Sequence, residues 1–127
     1  MISAQTILTA ATRLQPVIRV TPTEHSLALS ALTGCETWLK LEHLQHTGSF
    51  KLRGAAHKLL TLTPAERERG VITASNGNHG IAVCYAARQL GLRPQVFMRN
   101  GVPEMRVTLI RALGGGWEGA YAPVAQR

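Results

Sequence analysis

Hydrophobic and polar residues alternate along the chain with periods that change several times, and each change marks the boundary of a predicted element. In residues 3–14, apolar positions recur three and four residues apart, which predicts a helix capped by Ser3. Residues 17–20 indicate a short extended segment, residues 25–34 a helix that ends at a glycine, and residues 37–42 alternate as a strand does. The first part of the chain therefore mixes helices with short extended segments.

Two further helices are predicted in the middle of the chain. Residues 49–62 form the first, which carries Lys51 in its opening turn. The second begins at Thr-Pro-Ala-Glu, residues 63–66, where the threonine and the glutamate can cap each other and the proline takes the first helical position. This short polar helix is expected to end at Gly70.

The most regular pattern follows this glycine. Two short apolar runs, GVITA and PQVFM, indicate buried strands, and the segment IAVCYAARQL between them predicts a helix that is apolar around most of its circumference. A strand, a helix and a second strand in this order form a βαβ unit, which requires parallel strands and a right-handed crossover. Residues 102–115 predict one more helix, so the fold class is α/β, with a parallel sheet flanked by helices.

Length and composition limit the chain to one domain at most. It has 127 residues, of which 45% are hydrophobic, and this share is sufficient for a globular core. No apolar run approaches the length that a membrane span needs, and residues 1–13 lack the pattern of a signal peptide. Cys35 and Cys84 have no metal-ligand spacing, so we expect two buried, reduced thiols in a cytoplasmic protein.

The net charge of +7 raises the question of a nucleic-acid partner. Eleven of the fourteen basic residues are arginines, but they are scattered along the sequence, and no basic run is interleaved with aromatic residues. We therefore expect a dispersed, solvated basic surface and neither a nucleic-acid nor a membrane partner.

Two loops have the position at which α/β folds commonly bind ligands, between the carboxyl end of a strand and the start of a helix. They are HLQHTGS, residues 43–49, and SNGNHG, residues 75–80. The second leads into a buried helix, whose unpaired N–H groups could bind a carboxylate or a phosphate. An asparagine-rich turn in which His79 only fills space is the alternative that this loop leaves open when taken alone.

Lys51 is the candidate nucleophile. The positive end of its helix disfavours an ammonium group, and burial would favour the neutral amine that Schiff-base chemistry requires. Gly48 and Gly54 would leave room for a flat ring, and Phe50 offers an apolar face. The alternative is a solvated lysine at a helix start. Arg53 would oppose the burial of both cations unless an anion lay between them.

The two loops occur together and in order within two longer motifs, LKLEHLQHTGSFKLRGA and VITASNGNHGIAVCYAARQLGL. At these motifs the chain resembles the fold-type II pyridoxal-phosphate enzymes, and among them the threonine/serine dehydratase branch. The resemblance runs from about Thr21 to Gly115. It implies an N-terminal portion of that fold, pyridoxal 5'-phosphate as the cofactor, and dehydration and deamination of a small hydroxy-amino acid.

The resemblance also implies a role for each residue of the two motifs. Lys51 would form the Schiff base with pyridoxal phosphate and would remove the α-proton of the substrate, with Phe50 packed beside the cofactor. Asn78 would form a hydrogen bond with the 3-hydroxyl of the cofactor. The loop that binds the substrate carboxylate would consist of Ser75, Asn76, Gly77 and His79.

Asn76 departs from the pattern of the family. Racemases of the family have a catalytic serine at this position, and an asparagine cannot readily act as that second acid or base. The same residue also differs from the commonest dehydratase pattern, so the substrate stays open. A dehydratase-like enzyme of another catabolic pathway, such as hydroxyectoine breakdown, is the alternative.

The resemblance further implies how the chain is divided. Residues 1–50 would belong to the large domain of intact relatives, which are expected to be homo-oligomers, and residues 51–114 to the small α/β domain. The glycine-rich loop that holds the cofactor phosphate in the family comes later in the chain. Residues 115–127 lose the pattern, which we interpret as an irregular tail from truncation or a frameshift. A non-catalytic remnant or a small binding module is therefore the alternative of another class.

Overall fold

The computed structural model describes residues 2–99 and 101–115, so the predicted tail lies, except for Gly115, outside the described residues. The elements are α1 (Ala4–Leu14), β1 (Thr23–His25), α2 (Leu27–Thr33), β2 (Trp38–Lys40), a 3-10 turn (Glu42–Leu44), α3 (Lys51–Leu60), α4 (Pro64–Glu68), β3 (Ile72–Ala74), α5 (Asn78–Gln89), β4 (Gln95–Phe97) and α6 (Glu104–Ala112). None of the described helices combines the length and the apolar character that crossing a membrane would need.

The predicted βαβ unit is confirmed. β3 and β4 pair in parallel, with Thr73 opposite Val96, and α5 is the crossover between them. Burial extends around most of α5, as its apolar sequence predicts. Its buried residues are Gly80, Ile81, Ala82, Val83, Cys84, Ala86 and Ala87.

The larger core cluster joins α3 to α5. Leu52 and Ala56 on α3 and Ala82 on α5 have no exposed surface. Val17 is buried in the same cluster. The extended segment expected at residues 17–20 is wrong at its start, because the chain turns back at residues 15–17 after α1 and directs this valine inward.

A second cluster lies between α5, β4 and α6. It contains Ile81 and Cys84 from α5, Val96 from β4 and Ile110 from α6, so the predicted last helix is present and packs against α5 and β4. Burial raises the pKa of the Cys84 thiol to about 11, so this cysteine stays protonated. The burial expected for Cys35 is wrong, since this thiol is exposed, although it is free as expected.

The N-terminal strands form a separate sheet. β1 and β2 pair antiparallel, with Glu24 opposite Leu39, and do not extend the parallel pair. His25, expected in a helix, belongs to β1, and α2 begins only after Ser26, whose hydroxyl accepts a hydrogen bond from the backbone N–H of Leu29. The predicted end of α2 is confirmed, and Gly34 has φ 69°, the left-handed conformation in which glycine is least strained. The fold class α/β is confirmed.

Candidate functional site

Lys51 is the first residue of α3, as the sequence predicts. The preceding residue, Phe50, already has a helical backbone and supplies no capping side chain. The Lys51 side chain is exposed, and its Nζ lies 4.8 Å from the centroid of the Phe50 ring. The structure therefore places an apolar face beside the amine, and the described residues leave Lys51 exposed.

Open space surrounds the start of α3. A Cβ added at Gly48 or at Gly54 would meet nothing within 4 Å, so the room expected beside Lys51 is present. Gly48 has φ 68°, which a residue with a side chain adopts only with strain. Neither glycine therefore brings a side chain into the space near the start of α3, and Gly48 also has a backbone conformation that favours glycine.

Two hydroxyl groups in the loop before Lys51 have unmet hydrogen-bonding capacity. Thr47 Oγ1 and Ser49 Oγ are buried, and neither has a hydrogen-bond partner among the described residues. Buried hydroxyls are normally paired, because an unpaired one costs about 1–3 kcal/mol. The loop therefore holds polar atoms that a bound molecule or water would satisfy.

Arg53 has an internal counter-ion. Its guanidinium forms two hydrogen bonds with the carboxylate of Glu42, 2.8 Å from Nε to Oε2 and 2.7 Å from Nη2 to Oε1. The hydroxyl of Thr21 donates to the same carboxylate at 2.6 Å. Hydrogen bonding by Arg53 is the main reason that the pKa of Glu42 is lowered. The anion expected beside Arg53 is therefore the carboxylate of Glu42, which belongs to the chain itself. Because Arg53 is paired in this way, Lys51 is the available cation of this turn.

The loop before α3 is fixed from both sides. Gln45 is buried, and its side-chain amide accepts from the backbone N–H of Arg19 and donates to the carbonyl of Arg19, both at 2.8 Å. The ring of His46 stacks on Tyr85 of α5, with centroids 5.3 Å apart. These contacts connect the Lys51 loop both to the N-terminal segment and to the helix that carries the second loop.

Ser75 forms hydrogen bonds within its own loop. Its Oγ accepts hydrogen bonds from the backbone N–H groups of Gly77 at 3.2 Å and Gly80 at 3.0 Å. The hydroxyl thus accepts from two backbone N–H groups at the start of α5. A Cβ on Gly80 would lie 3.1 Å from Val96, so the chain is close-packed at this point.

Asn76 is held on both its side chain and its backbone. Its Oδ1 accepts from the backbone N–H of Arg99 at 3.0 Å, and its carbonyl accepts from Nη1 of Arg106 at 2.7 Å. The sequence reasoning missed both arginines, because it assigned them to a dispersed surface. No local pattern could have identified them, since the contacts join residues that are 23 and 30 positions apart.

Asn78 and His79 lie in the first turn of α5, because this helix begins three residues earlier than the expected start at Ile81. Both residues are exposed. Within residues 2–99 and 101–115, their backbone N–H groups have no hydrogen-bond acceptor, whereas those of Gly77 and Gly80 are bonded to Ser75. Unpaired N–H groups at a helix start attract anions. The backbone amides of Asn78 and His79 are therefore available to a carboxylate.

The two loops belong to helices that pack on each other, but their functional groups do not touch. Leu52, next to Lys51, shares the core cluster with Ala82, three residues after His79. In the part of the chain that the structure describes, no hydrogen bond, ion pair or ring contact joins Lys51 to residues 75–79. The structure thus brings Ser75, Asn76 and Gly77 together and leaves the lysine separate and accessible.

Comparison with known families identifies the class of protein. Residues 14–118 match the family model described as "Pyridoxal-phosphate dependent enzyme". The chain therefore belongs to this family, and the resemblance carried by the two motifs is confirmed.

The relatives narrow this class. A Sinorhizobium fredii protein, whose name provisionally assigns it as a threonine dehydratase, is 49% identical over 113 residues, covering 89% of this chain and 34% of that protein. The L-threonine ammonia-lyase of Thermotoga maritima is 42% identical over 114 residues, covering 90% of this chain and 28% of the relative. The serine racemase structure from Dictyostelium discoideum has a TM-score of 0.82 and 33% identity, covering 90% of this chain and 38% of that one. The chain spans about a third of the length of the relatives it matches.

The residues present fit the cofactor of this family. An exposed primary amine, the open space at two glycines and an adjacent aromatic ring are suited to an aldehyde on a flat ring. The buried, unpartnered hydroxyls of Thr47 and Ser49 lie in the same loop. Lys51 would hold pyridoxal phosphate through Nζ, with Phe50 beside the ring.

Proposed function

We propose that this chain is part of a pyridoxal-phosphate-dependent lyase that dehydrates and deaminates a small hydroxy-amino acid, as threonine and serine ammonia-lyases do. The observation that carries the proposal is the exposed Lys51 amine at the open start of α3. The similarity to an L-threonine ammonia-lyase supports the same reaction class. Elimination of the β-hydroxyl as water gives an enamine, and hydrolysis of its imine form consumes one water and gives a 2-oxo acid and ammonia.

Each residue would have a distinct task in this reaction. The bound cofactor supplies an electron sink for the charge that develops at the substrate α-carbon. Lys51 Nζ would accept the α-proton, since it is the free amine of this turn, while Arg53 is held by Glu42. Asn78 would bind the 3-hydroxyl of the cofactor, and the amides of Asn78 and His79 would bind the substrate carboxylate.

Asn76 supports a lyase in preference to a racemase. Its Oδ1 is bonded to the Arg99 N–H, so its side chain helps to hold the loop. An amide also has no readily transferred proton with which to complete a racemisation. The fold similarity to a serine racemase therefore does not carry that activity to this chain.

We also propose the division of the chain at residue 50 and a cytoplasmic location. Large apolar side chains remain exposed in the N-terminal segment, for example Leu27 at 77% and Leu32 at 81%, and these surfaces are suited to a larger domain. Both cysteines are free, as is common in a reducing compartment.

Selective labelling of Lys51 tests the proposal. The protein is incubated with pyridoxal phosphate, reduced with borohydride and digested, and the modified peptides are quantified by mass spectrometry. We expect the adduct at Lys51 and its loss in Lys51→Ala. Lys58 is the matched control, because it is an exposed lysine of the same helix.

Equal modification of Lys51 and Lys58 would show unspecific reaction of exposed amines and would refute the proposal. An unmodified Lys51 in folded protein would instead support the non-catalytic binding module. Release of 2-oxo acid from L-threonine or L-serine then tests the reaction class, and Lys51→Ala is the control for contaminating activity.

A further inference from the structure

We propose that Arg106 is a positioning residue for the carboxylate-binding loop. It fixes the peptide group between Asn76 and Gly77, so that the next two amides, those of Asn78 and His79, are presented together to an anion. This inference rests on the proposed function, because it takes the start of α5 as the carboxylate site.

The peptide group between Asn76 and Gly77 is bonded at both ends. Its carbonyl accepts from Nη1 of Arg106 at 2.7 Å, and its N–H donates to Oγ of Ser75 at 3.2 Å. A trans peptide is planar, and its C=O and N–H point in opposite directions. Two hydrogen bonds at opposite ends therefore fix the orientation of this plane, which the chain could otherwise change by rotation at a glycine.

The guanidinium also lies against the backbone of the loop. A Cβ built on Gly77 would be 3.2 Å from Nη1 of Arg106, so the missing side chain permits the close approach. Asn76 Oδ1, bonded to the Arg99 N–H, adds a third attachment on the same side. The loop is thus held between Ser75, which belongs to it, and residues that follow β4.

The same contact places a positive charge beside the proposed anion site. Arg106 is exposed and borders a cavity of about 460 Å³ that is also lined by Asn76 and Arg99. In the part of the chain that the structure describes, Arg106 forms no ion pair. Its charge is therefore available to the loop, and replacement of this exposed side chain does not disturb the core.

Amide hydrogen exchange of the protein tests the positioning role. A hydrogen bond from a charged donor typically changes a local equilibrium by about tenfold or more. In Arg106→Gln, we expect the exchange of the Gly77 amide to become about tenfold faster, with Ala56 in the core unchanged. Arg106→Lys should show a smaller effect, because a single ammonium can still donate to the carbonyl.

Titration with sodium acetate at constant ionic strength tests the consequence for binding. We expect acetate to shift the backbone amide signals of Asn78 and His79, and Arg106→Gln to weaken this binding about threefold to tenfold. Arg93→Gln is the matched control, since it removes the same charge from another exposed arginine. It should leave both readouts unchanged.

Three results would overturn the inference. The first is an exchange rate of the Gly77 amide that is equal in Arg106→Gln and Arg93→Gln. The second is faster exchange in Arg106→Gln without weaker acetate binding. The third is that acetate does not shift the backbone amide signals of Asn78 and His79 in the wild-type protein. None of these depends on Lys51. Failure of cofactor labelling at Lys51 would refute the proposed lyase while the loop results stand, so the two failures are distinguishable.

Discussion

Helices α2 and α5 are built with the same local devices but lie in opposite surroundings. Each follows a short strand and has a serine hydroxyl near its start that accepts a backbone N–H: Ser26, the N-cap of α2, accepts from Leu29, and Ser75, two residues before the N-cap of α5, accepts from Gly80. Both are rich in leucine, alanine or other apolar residues. Seven residues of α5 are buried, whereas α2 has none. Caps and composition therefore define a helix, but the surface that it packs against decides its burial.

The two strand pairs show the same contrast. Val96 in the parallel pair is 2% exposed, while Trp38 in the antiparallel pair is 55% exposed. The segment that leads into these N-terminal strands contacts the α3–α5 unit through buried Val17, and polar contacts add to this, the Gln45 amide on Arg19 and the Glu42–Arg53 pair. We infer that apolar burial stabilises the α3–α5 unit and its contact with α1 and Val17, and that the exposed N-terminal strands are attached mainly by hydrogen bonds and the Glu42–Arg53 ion pair.

The largest expected effect comes from removing equal side chains from the two regions. Leu52→Ala should lower the free energy of unfolding by about 2–5 kcal/mol, because this fully buried leucine lies at the centre of the larger core cluster. Leu32→Ala should change it by less than about 0.5 kcal/mol, since Leu32 is 81% exposed. Urea unfolding followed by circular dichroism measures both. Similar losses in the free energy of unfolding at the two positions would show that Leu32 is packed in the folded protein, and would contradict the difference in burial between α2 and the α3–α5 unit.

The sequence predicts the elements well where the signals are local. The capping box of Thr63 and Glu66 is present as expected, with the Thr63 N–H donating to Oε2 of Glu66 at 2.7 Å. The apolar circumference of α5 identifies it as buried, and the order of strand, helix and strand requires the parallel pairing of β3 and β4. Each of these sequence patterns lies within, or directly beside, the element that it predicts.

The missed features join distant parts of the chain. The contact of Glu42 with Thr21 spans 21 positions, and that of Arg106 with Asn76 spans 30. Such pairs leave no periodic pattern in one sequence. The position of Lys51 at the start of a helix was therefore predictable, but its exposure was not, because exposure depends on which surfaces the rest of the fold covers.

The ion pair offers a test of the polar attachment. Glu42→Gln keeps the size of the side chain but removes the charged acceptor of Arg53 and Thr21, so we expect a loss of about 1–3 kcal/mol at pH 7. Because the pKa of Glu42 is lowered in the folded protein, its carboxylate stabilises the fold above its unfolded-state pKa, and this contribution is lost as the pH falls through the folded-state pKa.

Urea unfolding between pH 7 and pH 3 checks the sign of this effect. The difference between wild type and Glu42→Gln should be present at neutral pH and should close in acid. The matched control is Glu68→Gln on α4, which removes an exposed carboxylate and should leave the free energy of unfolding unchanged within about 0.5 kcal/mol. A difference that persists undiminished at pH 3 would mean that the charge of Glu42 does not provide the attachment.

The smallest expected effect has the opposite sign and separates stability from ligand access. Gly54 lies inside α3 with a helical backbone, and a Cβ there would meet nothing within 4 Å. Gly54→Ala should therefore raise the free energy of unfolding by about 0.5–1 kcal/mol, since alanine loses less backbone entropy in a helix. Gly48→Ala, also in open space, should instead lower it by about 1–2 kcal/mol because of its φ of 68°.

The alanine of Gly54→Ala should also slow the labelling of Lys51 by the cofactor. Residues three apart on a helix lie on one face, so the new methyl group at position 54 projects beside Lys51, where the flat ring is proposed to bind. We expect Gly54→Ala to be more stable in urea and yet to form the borohydride-reduced adduct at Lys51 more slowly, with Lys58 labelled as before. A variant that is stabilised and labelled at the wild-type rate would place the ring away from Gly54. One that is destabilised would show that a neighbour already occupies this face of α3.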